Sequence, residues 1–185
     1  MNRLLALTEK IATGATWVSG VILLATACLI AVEVTLRKGF SISLGGADEI
    51  SSYALAICCS WTLAFALLKK AHVRVDVLYF RMSRKLQYAL DLFSLALFGF
   101  VMVVLTYYAF LVVKTSLVKK SIANTPLATP LWIPQGVWFA GLALFTATIL
   151  VVLAATVLAL IRRDWKRARE LSGASSLMGE DDEED

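Results

Sequence analysis

The chain has 185 residues, 59% of them hydrophobic, with a mean hydropathy of +0.75. Soluble domains are about half apolar at most, so this composition excludes a soluble enzyme and points to a polytopic membrane protein with short loops. The net charge of +4 hides a division: Glu180–Asp185 is a run of six acids, and without it 18 basic residues face 8 acidic ones. Those basic residues flank apolar runs, where Lys and Arg set topology. That placement argues for membrane lipids and against nucleic acid as a partner.

Residues 1–10 set Leu4, Leu5 and Leu7 among Arg3, Glu9 and Lys10, an amphipathic stretch expected to lie on the membrane surface. The apolar run that follows could be mistaken for a secretory leader, because Ala25-Thr26-Ala27-Cys28 resembles a lipoprotein cleavage site. It continues to Leu36, well beyond the roughly 7–15 residues of a cleaved apolar region. It therefore reads as a retained first span, about 12–36, with Trp17 near one interface and Arg37-Lys38 closing the other end.

Glu33 is the only acid within that span. An ionisable residue inside a membrane is a functional candidate by default, and a first-helix glutamate exchanges protons for cations in small multidrug exporters. Glu33 also precedes Arg37 by four residues, the spacing at which a helix pairs the two. The sequence supports a local ion pair first and a proton site as the alternative.

Gly45 and Gly46 mark a turn before the second span, about 50–68. Ile50–Leu68 contains no charged residue, about the length that crosses a hydrocarbon core of ~30 Å. Asp48 and Glu49 sit at the positive end of its helix dipole and Lys69 and Lys70 at the negative end. The two acids are expected to cap the helix. Two small-residue stripes run along it: Ser52, Ala56, Ser60 and Ala64, then Ala54, Cys58, Thr62 and Ala66. Small residues let membrane helices approach closely, so this span is a candidate to pack on two sides. Cys28, Cys58 and Cys59 all lie in apolar runs and read as small buried apolar residues.

Beyond Lys70 the period changes. His72, Arg74 and Asp76 alternate with Val73, Val75 and Val77, a period of two that suggests an extended surface segment or the entry to a short interfacial helix. The third span is about 86–113. Asp91, early in it, is expected to reach the interface, and Tyr107, Tyr108 and Phe110 suit an aromatic belt. The segment after Lys114 is amphipathic and then broken by Pro126 and Pro130. The fourth span, about 134–161, opens on Pro134, which a first helical turn tolerates, and Trp132 and Trp165 bracket it. Residues 166–185 form a Ser/Gly-rich and then acidic tail, expected to be cytoplasmic and disordered.

The fold class is thus all-α: four transmembrane helices within residues 1–165, joined by short links and interfacial helices. Four spans put both termini and the 69–85 loop on one side. That side carries thirteen Lys and Arg against five on the other, so the positive-inside rule predicts cytoplasmic termini. No nucleophile-base-acid set or phosphate loop occurs, so the chain is not expected to be an enzyme. With His72 the single histidine, no haem pair or zinc site is expected, and neither is a cofactor or catalytic residue. The lack of a haem pair also argues against a redox-complex anchor.

Three motifs in order carry a resemblance: Asp48-Glu49-Ile50-Ser51 with Tyr53, His72-Val73-Arg74-Val75-Asp76, and Pro130-Leu131-Trp132-Ile133-Pro134-Gln135. Over roughly residues 10–163 the chain resembles the small membrane subunit of tripartite ATP-independent periplasmic (TRAP) transporters, the DctQ family. Ser52 departs from that family, which often has arginine there. The resemblance implies a scaffold in the bacterial inner membrane beside a large multi-span subunit that carries the substrate and sodium sites. It also implies a periplasmic solute-binding protein that delivers the solute, often an organic-acid anion. On this reading Arg74 and Asp76 are candidates to order the cytoplasmic loop, by a local ion pair or by contacts with partner or lipid, and His72 belongs to the same motif. Glu49 and Trp132 are the candidates on the outer side, beside Asp48. The rival reading is a self-sufficient proton-coupled exporter using Glu33.

Overall fold

The computed structural model describes residues 2–70, 83–162 and 164. Among these residues there are four helices: α1 (Asn2–Phe40), α2 (Ala47–Leu68), α3 (Arg84–Val118) and α4 (Trp132–Ile161). Each is long and apolar enough to cross a membrane. The expected all-helical, four-span architecture is therefore the one observed.

α1 differs from expectation at its start. No separate surface segment precedes the first span; a single helix of 39 residues runs from Asn2. The chain's three prolines all lie at or beyond position 126, so nothing in residues 2–12 forces a break. At 1.5 Å per residue α1 is about 58 Å long, far more than the ~30 Å core requires, so it tilts or extends beyond the core at one end. It stops where Ser41 takes a φ of 55°, a left-handed conformation that a helix cannot continue through. The ends of α2 and α3 are alike. Each closes on a lysine pair, Lys69-Lys70 and Lys119-Lys120, whose second member is left-handed and donates its amide back to the last turn, as helix C-terminal motifs do.

The helices lie in the spatial order α1, α2, α4, α3, with α2 and α4 in the middle and α1 touching α4 at few places. The two stripes of α2 serve its two neighbours. On one side Cys58 Sγ donates to the carbonyl of Ser19 in α1 at 3.0 Å. On the other Ser60 faces Gly141 of α4 so closely that a Cβ there would lie 2.5 Å from the Ser60 hydroxyl. The Trp61 indole seals this seam by donating to the Val137 carbonyl at 2.8 Å. Ser52 and Ala56, the first two members of the first stripe, are exposed. The stripe therefore packs only in its later half, at Ser60 and Ala64, where Ser60 meets Gly141.

The core follows α4. Leu142, Phe145, Ile149 and Val152 are buried there against Leu95, Met102 and Ala109 of α3. Phe98 meets Phe145 edge-on at 5.7 Å, and the Thr106 and Thr146 hydroxyls bond at 2.7 Å. Asp91 lies in the second turn of α3. It is buried at 6% exposure and has an interaction partner, consistent with the cost of an unpaired charge in an apolar helix.

Candidate functional site

A set of polar contacts lies where α1 ends and where α2 and α4 begin. Two carboxylates form two clasps there, each joining a helix to a loop.

The first clasp is Glu33, in the last turns of α1 and only 3% exposed. Its Oε1 accepts from Arg37 Nη2 at 2.7 Å, from Arg37 Nε at 3.2 Å and from Ser43 Oγ at 2.8 Å. Its Oε2 accepts from the backbone N–H of Leu44 at 2.8 Å. Ser43 Oγ in turn accepts from the Gly45 amide at 3.2 Å. The local pair with Arg37 is therefore present, but it is only half of the arrangement. Glu33 also folds the 41–46 loop back onto α1, and a carboxylate with four donors around it suits a fixed anion.

The second clasp is Glu49, in the first turn of α2 and 7% exposed. It accepts from its helical neighbour Tyr53 Oη at 2.9 Å and from the Thr125 hydroxyl in the loop before α4. The hydroxyl and backbone amide of Thr129 face the same carboxylate. That loop is a small hairpin. Pro126 sits second in a turn that the Ala128 amide closes onto the Thr125 carbonyl at 2.9 Å, a position proline favours. Ala123 and Thr129 pair through their backbones, as do Leu131 and Ser121, across an antiparallel bridge of Ile122 with Pro130. The two prolines thus shape the loop that presents Thr125 to Glu49.

Glycine makes room for this contact at two positions. Gly45 has φ 70°, which a side chain would strain. A Cβ on Gly46 would lie 2.5 Å from Leu127. Gly46 is also the N-terminal boundary residue of α2, and no side chain caps that helix. The expected capping by Asp48 and Glu49 is replaced by a different use. Glu49 turns across to the hairpin, and Asp48 is exposed, its backbone carbonyl accepting the hydroxyls of Ser51 and Ser52.

Trp132 opens α4, immediately after the hairpin, and is 44% exposed. Sequence reasoning singled out Glu49 but not Thr125, Thr129 or Leu127. The Thr-Pro-Leu-Ala turn was the available signal, since proline at its second position predicts a closed turn rather than a mere break. His72, Arg74 and Asp76 lie outside the described residues. Among the described residues no cluster of His, Cys, Asp and Glu could hold a metal ion.

No curated protein and no solved structure matches the chain. Residues 26–162 match the family model of the DctQ component of tripartite ATP-independent periplasmic transporters. The matched region runs from the middle of α1 to the end of α4 and includes both clasps. The chain is a multi-pass membrane protein of that transport system, and it belongs to the DctQ component family.

Proposed function

We propose that the chain is a non-catalytic scaffold that braces the large membrane subunit of a sodium-coupled TRAP-type importer. Its solute, an organic-acid anion, is delivered by a periplasmic binding protein. The observation that carries this reading is the open row of helices. α1 and α3 stand at its edges with Val18, Val32, Phe93, Phe100 and Val104 exposed, while Glu33 and Glu49 are both engaged by the protein's own loops. Such a body offers wide apolar flanks to another membrane protein and holds its buried acids in structural roles.

The membrane is the bacterial inner membrane, and both termini face the cytoplasm, supported by the thirteen-to-five distribution of Lys and Arg. In this orientation Arg74 and Asp76 order the cytoplasmic loop, through a local ion pair or contacts with partner or lipid, and His72 belongs to the same motif. Asp48, the Glu49 clasp and Trp132 lie at the periplasmic end, where the exposed indole anchors α4 at the interface. The exporter reading needs Glu33 free to exchange protons, and its four donors in Arg37, Ser43 and Leu44 argue against that.

The test is a mild-detergent purification of the tagged full chain from its native membrane, with partners identified by mass. A large polytopic protein in stoichiometric amount is the expected result. A chain that purifies alone, and that carries out proton-driven transport in liposomes, overturns the scaffold reading.

A further inference from the structure

We infer that the seam between α1 and α2 holds one anionic phospholipid, with an acyl chain in a groove on α1 and the headgroup at Lys69. This goes beyond the scaffold role and does not depend on which protein the chain braces.

The groove encloses about 510 Å³ and is lined by Thr13, Thr16, Trp17, Gly20, Leu24 and Phe65 among others, with almost wholly apolar walls. Of its two threonines, Thr16 spends its hydroxyl on the Ala12 carbonyl at 2.9 Å. Trp17 stands out from α1 at 75% exposure. Gly20 opens the groove between them, and a Cβ there would meet nothing within 4 Å.

Length and charge identify the occupant. From Thr13 to Leu24 the groove runs about 16 Å along α1. That is close to half of a ~30 Å hydrocarbon core, the depth of one leaflet. A partner helix crossing the bilayer would need the groove to continue along α1 towards Glu33, and its lining ends at Leu24. A lipid chain needs one leaflet only.

At the other end the charge is basic. Phe65 lines the groove, and Lys69 Nζ lies 5.8 Å above its ring, one turn further along α2. Lys69 pairs with Glu9 at 2.8 Å, yet both side chains remain about half exposed. The ammonium therefore keeps donors open to a phosphate, with Lys10 next to Glu9 in sequence. An anionic headgroup at the membrane surface completes a site whose chain-binding part is already formed.

The experiment is native mass spectrometry of the full chain, with whatever subunits accompany it, after exhaustive detergent exchange and addition of phosphatidylglycerol or phosphatidylcholine. One retained phospholipid is expected, with phosphatidylglycerol held about fivefold more tightly, the worth of one lysine near an anionic headgroup. Gly20→Phe should fill the groove and remove the retained lipid without lowering Tm. Trp17→Ala, which takes away a wall, should weaken retention of both lipids. Lys69→Gln should keep the lipid and lose the headgroup preference. Equal lipid counts in the wild type and Gly20→Phe would overturn the site. So would a headgroup preference unchanged by Lys69→Gln, or a photo-crosslinker at position 17 that captures a protein helix in place of lipid.

Discussion

The Thr125 hydroxyl donates to the Glu49 carboxylate, joining the loop before α4 to the first turn of α2 across 76 positions of sequence. The contact lies where the two central helices begin, so it sets the distance between their ends while Ser60, Trp61 and Gly141 set the distance further along. Thr125 is itself exposed, so the enclosed partner is Glu49: losing the contact takes one donor from its buried carboxylate, and an enclosed polar group short of a bond is costly. Thr125→Val and Glu49→Gln should each lower Tm by a few degrees and speed protease cleavage within 121–131. The double variant should be little worse than either single one, the coupling expected of groups that share one interaction. Additive losses would mean that the two side chains act separately.

Glu33 and Arg37 should not be equivalent, although they form one ion pair. The Arg37 side chain is 55% exposed and that of Glu33 is 4% exposed, and only Glu33 also holds Ser43 and Leu44. Arg37→Ala removes the two guanidinium donors but leaves the Ser43 and Leu44 bonds of Glu33 in place. Glu33→Ala also releases the 41–46 loop. Hydrogen exchange at the Leu44 amide should rise sharply in Glu33→Ala and hardly change in Arg37→Ala. Equal exchange in the two variants would show that the ion pair, and not the loop contact, is what matters.

How much of this was legible follows from which forces act locally. The four spans were, because a run such as Ile50–Leu68 carries its own evidence in length and lack of charge. The two-sided packing of α2 was visible in part. The stripes marked Cys58 and Ser60 correctly, but only the positions of α1 and α4 show that Ser52 and Ala56 stay exposed. Glu33 with Arg37 was readable as a four-residue spacing, whereas its bonds to Ser43 and Leu44 depend on a reversal at Ser41. The Glu49 clasp was least accessible, since it rests on a tertiary contact with a hairpin whose bonding depends on the turn at Pro126.

Gly141 and Gly136 lie on the same helix and should respond oppositely to alanine. A Cβ on Gly141 would lie 2.5 Å from the Ser60 hydroxyl and closer still to the Trp61 ring, while one on Gly136 would meet nothing within 4 Å. Overpacking a close seam costs about 1–3 kcal/mol, so Gly141→Ala should destabilise by that order and part α2 from α4. Gly136→Ala should stabilise by up to about 1 kcal/mol through helix propensity. Thermal unfolding of the two variants in one detergent decides this, and a neutral Gly141→Ala would mean that Trp61 can turn away freely.

Glu9 and Lys69 join the opposite ends of α1 and α2 at 2.8 Å, with both side chains about half exposed. By bond length alone this pair matches Glu33 with Arg37, so a count of ion pairs would weigh the two ends of α1 alike. Exposure separates them. An ion pair between solvated side chains contributes about 0–1 kcal/mol and is screened by salt. Lys69→Gln should therefore leave Tm nearly unchanged, and raising the salt concentration should make it indistinguishable from the wild type in stability. Glu33→Ala should remain destabilised at the same salt, because its loop bonds include a backbone amide that salt does not screen. If Lys69→Gln proved as damaging as Glu33→Ala at high salt, the Glu9 end of α1 would be held by more than this pair. The end beside the 41–46 loop would then no longer be the firmer of the two.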